Sequence, residues 1–98
     1  MDIKVIKNAI VEFCQLLHKK NMLASADGNV SYRVSDDEIL ITPSGVSKAF
    51  IRADDIAVID LNNTILSGTP SSERLMHLEV YKMCPEAKAV VHAHPPSA

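Results

Sequence analysis

The sequence predicts an α/β fold in which a mainly antiparallel central sheet is flanked by helices. Two long segments carry apolar residues at helical spacing, short alternating segments lie between and after them, and the order runs helix, several strands, helix, strand. The first helix covers residues 2 to about 23. Ile6, Ile10, Phe13 and Leu17 form one stripe, widened by Ala9, Cys14 and Leu16, with Asp2 as N-cap and His18, Lys19 and Lys20 near the end, where cations suit the helix dipole.

The period then changes. Val30, Tyr32 and Val34 alternate with polar residues in GNVSYRV, Ser35, Asp36 and Asp37 form a turn, and EILIT returns as the second arm of a hairpin. A further strand runs from about Ile56 to Leu61, Asn62 and Asn63 turn the chain, and TIL supplies a short partner. Residues 70–84 read as a helix with Leu75, Met76, Leu78, Val80 and Met83 inward, stopped by Pro85. AKAVVHAH closes as a strand, and no internal repeat is visible.

The 98 residues, 47% of them hydrophobic and undivided by any linker, suit one domain with a real core. A formal net charge of -2 with interspersed signs gives no basic face for nucleic acid. No apolar run approaches the roughly 20 residues of a membrane span, and the start lacks the pattern of a signal peptide. A cytoplasmic protein is expected. Cys14 and Cys84, each within an apolar helical pattern and far from CxxC spacing, are expected as reduced core residues.

Four segments can carry chemistry. In a strand, His92 and His94 project from the same face and aim two imidazoles at one point, as a metal site requires. A lone HxH is more often one core and one solvated histidine. In TPSSERLMH, Ser71 or Ser72 would cap the helix and Glu73 would lie in its first turn. Ordinary capping explains this, yet hydroxyls beside free helix N–H groups also suit a phosphate, with Glu73 able to move a proton. GNVS and ITPSG place Gly28, Asn29, Ser44 and Gly45 at strand ends, where turn chemistry or close approach to an anion would use them. His18 and His77 are weaker candidates. The first fits a helix end, and the second simply lies on a helix face.

Taken in order, GNVS at 28–31, ITPSG at 41–45, PSSE at 70–73 and AVVHAH at 89–94 resemble the class II aldolase/adducin family over nearly the whole chain. The resemblance implies a three-layer sandwich, of which residues 1–98 are the N-terminal part of a single truncated domain. It implies a zinc-dependent aldolase that cleaves a sugar phosphate such as L-fuculose 1-phosphate to dihydroxyacetone phosphate and an aldehyde, reversibly. On this resemblance His92 and His94 are zinc ligands, with Glu73 as catalytic acid/base that approaches the metal when substrate is absent. A third histidine ligand is expected beyond residue 98, so this segment alone would be inactive. Asn29, Ser44, Gly45, Ser71 and Ser72 correspond to substrate and phosphate contacts, and Gly28 shapes the loop. The resemblance also implies a homotetramer. Within the family the alternatives are a methylthioribulose-1-phosphate dehydratase or a pentulose-phosphate epimerase, the latter disfavoured by glutamate at 73. A non-enzymatic, adducin-like interaction domain is the alternative from another class.

Overall fold

The computed structural model describes residues 2–20, 28–44 and 50–92. Helix α1 spans Ile3–Lys19, strands β1 and β2 Asn29–Ser35 and Glu38–Ile41, a 3-10 helix Ala53–Asp55, strands β3 and β4 Ala57–Ile59 and Ile65–Ser67, helix α2 Arg74–Met83, and strand β5 Ala89–His92. The strands form one sheet in the order β4-β3-β2-β1-β5. Each described pairing is antiparallel.

Strand alternation sorts the side chains into two apolar layers. Val30, Leu40 and Val58 meet Ile6, Ile10, Cys14 and Leu17 of α1 on one face. Ile39, Ile41, Ala57 and Ile59 meet Leu78 and Tyr81 of α2 on the other. The result is the expected helix–sheet–helix sandwich. Strands β2 and β3, covered on both sides, are apolar at every buried position for that reason.

The helices differ in detail from what periodicity predicts. Asp2 caps α1 as expected, accepting from Lys4 N–H at 3.0 Å. The helix stops at Lys19, and residues 21–23 of the expected helix lie outside the described residues. Phe13 and Leu16, expected in the stripe, are exposed, because Cys14 rather than Phe13 continues the Ile6–Ile10 line at i+4. Helix α2 begins only at Arg74, and its inward residues are His77, Leu78 and Tyr81. Leu75, Met76 and Met83 point outward, correcting the predicted apolar face. Cys84 is exposed at the end of α2, so only Cys14 is a core cysteine, and neither is in a disulfide.

The β3–β4 turn follows its sequence. Asp60 Oδ1 accepts from Asn62 and Thr64 N–H at 2.9 and 2.8 Å, and Asn63 takes a left-handed φ of 68°. Asn63 Oδ1 then accepts from Arg74 Nε at 2.7 Å, tying this turn to the start of α2. Gly68 is required by geometry. Its φ is 76°, and a Cβ there would sit 3.0 Å from Ala57 Cα.

Candidate active site

Main-chain hydrogen bonds gather the ends of several segments at one end of the sheet. Val30 N–H reaches Thr42 Oγ1 at 3.2 Å, Thr42 N–H returns to Val30 O at 3.0 Å, and Ser71 N–H reaches Thr42 O at 3.0 Å. Ser44 N–H donates to Thr69 O, and Pro43 bridges Pro70. The start of β1, the segment after β2 and the turn before α2 are thereby fixed side by side. His92 joins them because β5 pairs with β1 in the register Asn29↔His92. Residues directly opposite in an antiparallel pair share a face.

Most of the expected residues therefore converge. Gly28, with a φ of 84°, leads into Asn29 at the mouth of β1. Ser44 is exposed, Ser71 is buried, and Ser72 and Glu73 are exposed in the turn that starts α2. His92 is half-buried at the end of β5. Gly45 and His94 lie outside the described residues. His18 is in the last turn of α1, whose buried side packs on the sheet face opposite α2.

The turn at 71–73 uses its amides in a way the sequence does not show. Glu73 N–H donates to Ser71 Oγ at 3.1 Å, and Arg74 N–H to Ser71 O at 3.2 Å. Ser71 Oγ thus closes a turn ahead of the helix, and Glu73 occupies the N-cap position with no side-chain cap bond, so the expected serine cap with Glu73 in the first turn is corrected. Those two amides are already engaged. An anion here would meet chiefly hydroxyls, and Ser71, accepting at its oxygen, keeps its own proton for a ligand.

Below this surface lies a polar layer that alternation alone would assign to solvent. Asn29, Ser31 and Arg33 project from β1 toward α2 and are 4%, 0% and 7% exposed. Tyr81 OH and Ser31 Oγ are 2.7 Å apart, Ser31 Oγ and His77 Nδ1 also 2.7 Å, and His77 Nε2 contacts Asn29 Oδ1. Burial, and then the neighbouring His92, lower the His77 pKa from 6.5 to about 4, so it is neutral at pH 7. Burial raises the Tyr81 phenol above its usual range, opposed by the hydrogen bond shared with Ser31 and the charge of Arg33.

Arg33 anchors the other end of the layer. Its guanidinium donates to the carbonyls of Tyr81, Cys84, Pro85 and Ala87, pairs with Asp36 at 3.4 Å, and lies 4.9 Å from the Tyr81 ring centre. Sequence reasoning missed Ser31, Arg33, Thr42 and Tyr81 and undervalued His77. A signal existed. Polar residues at 29, 31 and 33 share one strand face, and His77 and Tyr81, four apart, share one helix face.

For a metal, the described donor set is partial. His92 and Glu73 are candidate ligands, and among the described residues no three His, Cys, Asp or Glu side chains group closely enough to hold an ion. His94 lies outside that set.

The sequence pattern described as the Class II Aldolase and Adducin N-terminal domain matches residues 8–98. An L-fuculose phosphate aldolase of Methanococcus vannielii is 38% identical over 96% of this chain and 49% of its own length. A methylthioribulose-1-phosphate dehydratase of Methylococcus capsulatus is 36% identical over 91% of this chain and 44% of its own. The structure of YgbL from Klebsiella pneumoniae, named as a candidate aldolase/epimerase/decarboxylase, superimposes with a TM-score of 0.92 at 29% identity, covering 98% of this chain and 47% of that one. The chain spans about half the length of the curated relatives it matches.

Proposed function

Because the chain belongs to the class II aldolase and adducin family, we propose that the intact protein is a metal-dependent aldolase acting on a small sugar phosphate such as L-fuculose 1-phosphate. The observation that carries this is the convergence of Asn29, Ser44, Ser71, Glu73 and His92 at one end of the sheet. Hydroxyl and amide donors beside an exposed carboxylate suit a phosphorylated polyol whose carbon–carbon bond must break with a proton transfer. Ser71 and Ser72 receive the phosphate oxygens, Asn29 adds an amide donor, and Gly28 and Gly45 leave room for the ligand against the backbone. Glu73, exposed to the site, carries the proton between substrate carbon and solvent.

His92 and His94, with a third histidine beyond residue 98, hold zinc in this reading. The ion supplies Lewis-acid stabilisation of negative charge on the substrate oxygens. Assembly of the intact chain into a homotetramer in the cytoplasm completes the proposal.

Product analysis on the intact protein tests the reaction. Dihydroxyacetone phosphate from L-fuculose 1-phosphate is the expected result. Loss of water from methylthioribulose 1-phosphate, without carbon–carbon cleavage, would establish the dehydratase reading, which the similarity to such an enzyme favours as the second choice. His92→Ala should abolish bound zinc and turnover while leaving assembly in place, and activity surviving that change would remove the metal assignment.

A further inference from the structure

We infer that Tyr81, Ser31 and His77 form a one-way hydrogen-bond relay that fixes the Asn29 amide with its NH2 group toward the anionic part of the substrate. The inference rests on the reading of the site as a sugar-phosphate site. Its starting point is the Asn29 amide oxygen, which can only accept and lies against His77 Nε2. The neutral imidazole therefore carries its hydrogen on Nε2 and accepts at Nδ1, where the Ser31 hydroxyl donates. Ser31 Oγ, its own proton given to His77, accepts in turn from the Tyr81 hydroxyl.

The consequence falls on Asn29. With Oδ1 held by His77, the NH2 group is turned away from the relay, toward the end of the sheet where Gly28 and His92 lie. Running the relay backward would place the amide oxygen there instead, facing a phosphate that it repels. Ser31 and His77 are fully buried and Tyr81 is 1% exposed, so no bulk water reaches the relay to reverse it. His77 is neutral, as its lowered pKa requires, and so can accept at one nitrogen and donate at the other. Ser31, His77 and Tyr81 are positioning residues. They act on substrate through Asn29.

The test uses the intact protein, with inorganic phosphate as the binding probe and L-fuculose 1-phosphate as substrate. In histidine-labelled wild type, the 15N spectrum should show His77 protonated on Nε2. Ser31→Ala should weaken phosphate binding and raise KM about tenfold, the loss of one oriented hydrogen bond to an anion, with kcat changed less than threefold. Tyr81→Phe should do the same to a smaller degree. His77→Gln, which keeps a donor toward Asn29, should bind phosphate more tightly than His77→Leu. A His77 protonated on Nδ1 in wild type would overturn the relay without any variant. So would wild-type phosphate affinity in Ser31→Ala together with equal affinities in the two His77 variants. If wild type neither binds phosphate nor cleaves the substrate, the functional reading fails and the role given to Asn29 fails with it. Phosphate binding in wild type, unaffected in Ser31→Ala and equal in the two His77 variants, sinks the relay alone.

Discussion

Replacing Arg33 by lysine keeps the charge and most of the stem, yet it should loosen the connection between α2 and β5. The guanidinium has five N–H groups, and its contacts to Asp36 and to the carbonyls of Tyr81, Cys84, Pro85 and Ala87 engage all of them. Lysine has three donors at one point and cannot span that set. Two or more carbonyls lose a charged donor, each such bond being worth about 1.5–3 kcal/mol, and water replaces part of the loss because Cys84 and Pro85 are exposed. A local cost of about 3 kcal/mol follows, or roughly a hundredfold in the opening equilibrium. Hydrogen exchange read by mass spectrometry isolates the effect in the intact protein. The amides of Cys84 and Ala87, bonded to Val80 O and Cys84 O, should exchange about a hundredfold faster in Arg33→Lys, while those of α1 keep their rate. Exchange within threefold of wild type at these amides would refute the claim that Arg33 holds the segment.

Glu73→Gln should lower kcat by about 10²–10⁴ while leaving substrate binding and thermal stability close to wild type, since the side chain is exposed and makes no cap bond. Equal loss of stability and activity would place Glu73 in the fold instead. His77 has a native pKa of about 4 against 6.5 in the unfolded chain, so between those values the unfolded state binds the extra proton and stability falls as pH falls, levelling below about 4. The contribution is roughly 3 kcal/mol across that window, and denaturation midpoints measured against pH should show a shallower slope for His77→Gln. Gly68→Ala should cost of order 1–3 kcal/mol in thermal unfolding, from its φ of 76° and the 3.0 Å approach to Ala57 Cα. An unchanged midpoint would mean the β4–α2 connection can shift freely.

The sandwich was legible because burial on both faces leaves a mark in composition. Ile39, Leu40 and Ile41 form a continuous apolar run, and a strand with that pattern needs a layer on each side. The β3–β4 turn was legible at Asn62 and Asn63, whereas Asp60, expected within the strand, leaves it to accept from the turn amides. Helix α2 was misread because its inward residues are His77, Leu78 and Tyr81, two of them polar, while Leu75 and Met83 look outward. Apolar periodicity finds a helix face only when the partner surface is also apolar. Here the facing strand offers Asn29, Ser31 and Arg33, so a polar stripe meets a polar stripe and neither registers as core. The site residues were legible by type and spacing, and their convergence was not, since it depends on Thr42 linking Val30 to Ser71 across long stretches of chain.

One strand face couples the candidate site to the fold. Asn29 faces the site, Ser31 is the middle of the buried relay, and Arg33 holds the end of α2, all within five successive positions of β1. Because side chains repeat every two residues in a strand, a one-residue slip of β1 would carry all three to the α1 face and put Val30 and Tyr32 under α2. The buried polar set therefore does more than fill space. It penalises the wrong register at three positions at once, and the register that satisfies it is the one that sets Asn29 opposite His92.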